Sequence, residues 1–200
     1  ASIHYPIRGA VTWKSIVGTN VAADALSNLS SPGVTGGVLI VVGEDYGEGA
    51  SVIQERTHAY ALKSGMCLLD PRPELGQMVN MVEQGFRLSE ASNMPVMMEL
   101  RIRACHVRGQ FVAKTNQAPL LSKKNLIAEP AGFDYMRLAH PPVTFAQEKR
   151  KVAHRLPAAR EFILANGLNE HFPGTQHKHL GLIVQGGLYN TLIRALQQFD

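Results

Sequence analysis

Cysteine, tryptophan and long apolar runs are all scarce in this chain. Its 200 residues hold two cysteines and one tryptophan. Cys67 and Cys105 stand far apart with no Cys-x-x-Cys pair, so thiolates alone hold neither zinc nor an iron–sulfur cluster here. Each lies in an apolar stretch, and both read as structural thiols of a reducing cytoplasm. No apolar run reaches the roughly 18 residues that span a bilayer, so no membrane helix is expected. The chain opens Ala1-Ser2-Ile3-His4, without Met, a basic n-region or an apolar h-region. That start argues against a signal peptide and for a piece of a longer polypeptide. Neither Gly-x-x-x-x-Gly-Lys-Ser/Thr nor Gly-x-Gly-x-x-Gly occurs, which removes the two commonest nucleotide signatures. No repeat of fixed period is present.

With 45% apolar and 18% charged residues, the chain can bury an ordinary core. Its formal charge is +4, unevenly spread. Residues 1–107 carry 8 Lys/Arg against 10 Asp/Glu, whereas 108–160 carry 10 against 3. A basic stretch can attract nucleic acid, but no nucleic-acid module surrounds this one. A solvated linker face or a docking surface for a partner subunit is expected instead.

Strand-like and helix-like segments alternate through the first half. Val11 to Val17 is short and β-branched, and helix formers follow from Val21 to Leu26 with Asn20 as their N-cap. Gly37 to Val42 is a continuous apolar run, the pattern of a strand buried on both faces. A helix over about Ser51 to Lys63, a short strand Met66 to Leu69 and a helix from Glu74 follow. On that last helix Leu75, Met78, Val79, Val82 and Phe86 share one face at helical spacing. Met94 to Arg103 is the next strand. This alternation predicts βαβ units, a three-layer α/β fold with a mainly parallel sheet. Periodicity fades over Val107 to Pro142, and a charged helical stretch spans Thr144 to Asn166. His179 to Val184, Gln185-Gly186-Gly187 and Leu188 to Phe199 then read as strand, turn and helix. The expected division is 1–107, an α/β domain with its N-terminal part missing; 108–176, a linker with a basic helical segment; and 177–200, the first βα unit of a truncated second domain.

Ligands of open α/β sheets bind beyond the carboxyl ends of the strands. The segment Gly43 to Ser51 occupies such a place, with three glycines and the carboxylates Glu44, Asp45 and Glu48. The carboxylates disfavour a phosphate cradle; an acidic exposed turn is the plainer reading. Glu55 and Arg56 read as a surface ion pair. Gly181 to Asn190 forms a strand–Gly-turn–helix that can admit an anion at its helix N-terminus. His106, His140, His154, His171, His177 and His179 show no metal-ligand spacing, and no metal site is expected.

Four segments together resemble one family. Val11 to Asp24 (VTWKSIVGTNVAAD) is similar to the "MKhVGxNVAaD" segment of indolepyruvate ferredoxin oxidoreductase large subunits. Gly33 to Asp45 resembles that family's "GVxGGlvIVvgeD" strand and loop, and Leu88 to Val96 its "LSEasnxPV" segment. Leu182 to Asn190 resembles the opening of its next domain. The matches run in the family's order over nearly the whole chain, apart from 110–175.

The resemblance implies the pyrimidine-binding domain of a thiamine-diphosphate enzyme. That family oxidatively decarboxylates aryl 2-oxoacids such as indolepyruvate, with coenzyme A as acyl acceptor and ferredoxin as electron acceptor. It implies thiamine diphosphate with Mg²⁺ shared with another domain, iron–sulfur clusters elsewhere, and a second subunit or copy as partner. The family's catalytic glutamate lies upstream of the first matched segment, and its Gly-Asp-Gly diphosphate site is absent too; Gly43-Glu44-Asp45 is not that motif. By position, Thr19, Asn20, Glu44, Asp45 and Tyr46 would line the cofactor pocket, and no catalytic residue is assigned. The chain alone would be inactive. Two alternatives stand beside this: a non-catalytic α/β binding or assembly module, and a pyruvate- or branched-chain-specific relative.

Overall fold

The fold is described from a computed structural model covering residues 2–45, 53–116, 132, 134–174 and 179–199. Its centre is a four-stranded, wholly parallel sheet in the order β1-β2-β4-β3. The strands are β1 (Gly9–Lys14), β2 (Val38–Glu44), β3 (Cys67–Leu69) and β4 (Val96–Arg101). Helices α1 (Ala23–Ser30), α2 (Thr57–Ser64) and α3 (Leu75–Ser92) make the crossovers. A single turn, α4 (Ile102–Cys105), follows β4. Further on, α5 (Val143–Arg150) runs through a π-helical turn, Lys151–Arg155, into α6 (Leu156–Ala165). The last helix is α7 (Tyr189–Leu196).

Side chains of a strand alternate between faces, and here both faces are covered. Leu39, Val96 and Met98 point into a core with Met78, Met81 and Leu88 of α3 and Ala159 of α6. Ile40, Val42 and Met97 point the other way, onto Leu26 of α1 and Ala61 of α2. The mainly parallel, three-layer α/β class read from the sequence holds. The helical stretch expected over 144–166 also forms, but α6 lies against α3 and adds Ala159 to the core, with Leu168 just beyond the helix. Two cations of the basic stretch, Lys151 and Arg155, are buried with it.

Several local expectations are corrected. On α3 the buried face is Met78, Met81, Gly85, Leu88, Ser89 and Ser92, while Val79 and Val82 face outward. The small residues decide this. A Cβ on Gly85 would stand 2.7 Å from Leu39 Cδ1, so the helix approaches the sheet where its side chains are least bulky. Asn20 is not an N-cap: its backbone is itself helical, within a turn continuous with the π-helical Ser15–Thr19. Strand β4 ends at Arg101 rather than Arg103. Residues 179–184 form no strand, and Leu180, Leu182 and Ile183 are exposed. An apolar run becomes a strand only against a sheet edge, and this one joins none. Cys105 is exposed rather than buried, and Cys67 is half-buried. No helix among the described residues is long and apolar enough to cross a membrane.

Candidate functional site at the carboxyl rim of the sheet

Because all four strands run one way, their carboxyl ends gather at a single rim. In register, Lys14 of β1 stands beside Gly43 of β2, and Glu44 of β2 beside Arg101 of β4. Asp70 follows β3 directly. Thus Asn20, one turn beyond β1, and Glu44-Asp45, at the end of β2, share the same side of the layer.

The β1–β2 half of the rim is built around the turn after β1. Trp13 Nε1 donates to the buried Thr19 Oγ1 at 3.1 Å. A Cβ on Gly18 would stand 2.2 Å from Trp13 Cγ, so only glycine lets the indole lie against this turn. Asn20 Nδ2 donates to Glu55 Oε1 at 2.6 Å, and Asn20 Oδ1 accepts from the Tyr60 hydroxyl of α2. Asp45 pairs with Lys14 at 2.8 Å. The nearly inaccessible Glu44 accepts the backbone N–H of Thr57, first residue of α2, at 2.6 Å. A carboxylate there satisfies an orphan helix donor and favours the positive end of the helix dipole.

The β4–β3 half is an ionic knot. Arg101 lies 3.0 Å from Asp70 Oδ2, 3.1 Å from Glu99 Oε1 and 3.6 Å from Glu44 Oε1. One guanidinium therefore serves three carboxylates. The Glu99 contact is off the hydrogen-bond axis, and neither Glu99 oxygen has a well-aligned donor among the described residues. Burial, then repulsion from Glu44, pushes the Glu99 carboxyl up to about 8; Arg101 opposes this, and Asp70 adds to it. Near neutrality the Glu99 carboxyl therefore keeps its proton.

The Gly186-Gly187 turn closes over this half. Arg101 Nη2 donates to Gln185 Oε1 at 2.8 Å, and Gly187 N–H donates to Asp70 Oδ1 at 3.0 Å. The anion at this turn is the protein's own Asp70.

Of the five residues singled out by sequence, Thr19, Asn20, Glu44 and Asp45 gather at the rim, and Tyr46 lies outside the described residues. Glu55, read as a surface pair with Arg56, instead joins Asn20 and Tyr60. Asp70, Glu99, Arg101 and Gln185 were missed. Glu99 and Arg101 carried a usable signal: two charges at alternate positions ending a strand of otherwise buried residues, which places both on one face.

An aminopyrimidine offers N–H donors and ring-nitrogen acceptors. Ser15 Oγ, Glu55 Oε2 and Thr57 Oγ1, all at this end of the sheet, are buried without a hydrogen-bond partner among the described residues. Buried polar atoms are normally satisfied, so orphans at a rim fit a polar ligand. No group of three or more His, Cys, Asp or Glu that could hold a metal ion occurs among the described residues.

Comparison with known proteins agrees with the motifs. A protein of Methanothermobacter thermautotrophicus named indolepyruvate oxidoreductase subunit IorA is 26% identical over 190 residues, 93% of this chain. Proteins of the same name from Pyrococcus horikoshii and Thermococcus kodakarensis are 31% and 32% identical over 103 residues, 52% of this chain. Its relatives are indolepyruvate oxidoreductase subunits. The chain spans 29% of the length of the Methanothermobacter relative and 16% of the other two. No protein-family model matches it.

Proposed function

We propose that this chain supplies one wall of the thiamine-diphosphate pocket of an oxidoreductase acting on aryl 2-oxoacids such as indolepyruvate, with coenzyme A as acyl acceptor and ferredoxin as electron acceptor. The relatives named as indolepyruvate oxidoreductase subunits support the reaction class. The observation that carries the reading is the convergence of Asn20, Glu55 and Glu44 on the start of α2, at the carboxyl rim where open α/β sheets bind ligands.

Within that reading the residues divide their work. Asn20 and Tyr60 hold Glu55 by hydrogen bonds, leaving its second oxygen to accept from an amino group of the pyrimidine. Thr19, fixed by Trp13, forms the adjoining wall. Glu99 keeps a proton buried beside the site near neutrality, and Arg101 gives Glu44 and Asp70 their counter-charge. When bound, the cofactor supplies an electron sink for decarboxylation. The diphosphate and Mg²⁺ contacts would come from a different domain.

The test is a thiamine diphosphate titration followed by fluorescence of Trp13, the sole tryptophan. It is run on the chain alone and on the chain assembled with a domain bearing the Gly-Asp-Gly site. Saturable change is expected in the assembly only, and Asn20→Ala should weaken it about tenfold, equivalent to ~1.4 kcal/mol. Micromolar binding by the chain alone, or binding by the assembly that ignores Asn20→Ala, refutes the proposal.

A further inference from the structure

A cavity of about 420 Å³ lies at the opposite, amino end of the strands. Its wall includes Asn93, Arg137, Gln147, Arg150, His154 and Arg155, and no carboxylate. Three arginines and a histidine therefore line one cavity. We propose that it is a binding site for a small organic phosphate, independent of the carboxyl-rim site.

The placement of Arg155 is the main reason. Its side chain is buried, and it pairs with no carboxylate among the described residues. Among the described residues it donates to two backbone carbonyls, those of Ser30 at 3.2 Å and Gln147 at 3.4 Å. A buried cation without a counter-ion is costly, so such groups ordinarily have a partner. Here two charged neighbours, Arg150 and Arg137, make matters worse. Burial first, then repulsion from Arg150, pulls the Arg155 guanidinium down from its ordinary value; Glu148 opposes this, and Arg137 adds to it.

The carboxylates nearby are already engaged. Glu148 is 2.8 Å from Lys151 and also accepts from the Ser31 hydroxyl. Asp134 is 3.3 Å from Arg137 and caps the short turn Tyr135–Arg137. Arg150 makes no ion pair among the described residues. Gln147 is committed as well, donating to the carbonyls of Met136 and Leu138 at 2.9 Å and so fixing the cavity wall. The glycine at 33, with φ of +74°, removes the side chain that would otherwise stand 2.7 Å from Arg155 Nη1.

Several arginines around one cavity call for more than one negative charge, and their planar donor forks match phosphate oxygens. The volume falls within the range of small-ligand pockets, roughly 300–1,000 Å³. A phosphate or diphosphate on a small organic body meets both conditions.

The test is isothermal titration of the full chain with pyrophosphate and with orthophosphate, at constant ionic strength in chloride. Pyrophosphate should saturate a single site. Arg150→Gln, at an exposed position without an ion pair among the described residues, should weaken it at least fivefold. Lys149→Gln removes the same charge next door, where Lys149 lies over Phe145, and should change it less than twofold. Equal losses in the two variants, no saturable heat above chloride, or succinate binding as tightly as pyrophosphate each overturn the proposal. Because Arg150 is remote from the carboxyl rim, neither result bears on thiamine diphosphate binding.

Discussion

Glu99 and Arg101 stand two residues apart on β4, on one face of the strand, with Arg101 Nη2 3.1 Å from Glu99 Oε1. Their closeness does not keep Glu99 ionised near neutrality, because burial and repulsion from Glu44 outweigh a cation that also serves Asp70 and Glu44. This shared cation sets how the rim responds to pH and to mutation.

Raising a carboxyl from its ordinary 4.5 to about 8 makes the folded protein bind that proton more tightly than the unfolded chain does. The resulting stability is complete below about pH 4.5 and is lost as pH rises through about 8. We expect the melting temperature to fall between pH 5 and pH 8 by the equivalent of a few kcal/mol, at ~1.4 kcal/mol per unit of pH. Glu99→Gln, measured in parallel, should lose most of that slope. An unchanged slope would show that Glu99 is not the titrating group.

Arg101→Met leaves Glu44, Asp70 and Glu99 facing one another without their cation. Urea unfolding at pH 8 should reveal a loss of about 3–5 kcal/mol, the usual cost of breaking a buried ion pair from one side. Adding Glu99→Gln to that background should recover part of it, a coupling that a double-mutant cycle reads directly. Additive effects would mean that the two side chains do not interact.

Gly18→Ala drives a methyl group into Trp13 and should cost about 1–3 kcal/mol by overpacking. It should also shift the Trp13 emission maximum, since the bond to Thr19 depends on where the indole lies. Wild-type fluorescence together with wild-type stability would contradict the close approach.

Gly187→Ala places a Cβ 2.4 Å from Arg101 Nε and 2.7 Å from Asp70 Oδ1. Limited proteolysis within 185–196 should rise several-fold, while hydrogen exchange in β2 and β4 stays slow. Equal protection of the turn in variant and wild type would show that it does not rest on Asp70.

The sheet was largely legible because its central strands state their environment in composition. Leu39 to Val42 and Val96 to Met98 are unbroken apolar runs, and only burial on both faces of a parallel sheet accommodates such runs in short strands. The buried face of α3 is not legible from side-chain bulk, because Gly85, Ser89 and Ser92 set the contact. Asn20 looked like a cap because its residue type favours caps, and its side chain turned instead to partners 35 and 40 positions away.

Local pattern by itself determined the βα alternation, the parallel class and therefore the single rim on which Asn20 and Glu44 both fall, since strands joined by crossover helices must point the same way. Only the tertiary structure decided which charges meet there. Asp70, Glu99, Arg101 and Gln185 come from three separate stretches of chain, and Arg155, without an ion pair among the described residues, sits against Ser30 from 125 positions away. Electrostatic partnership depends on distance and burial, and neither is written in the order of residues.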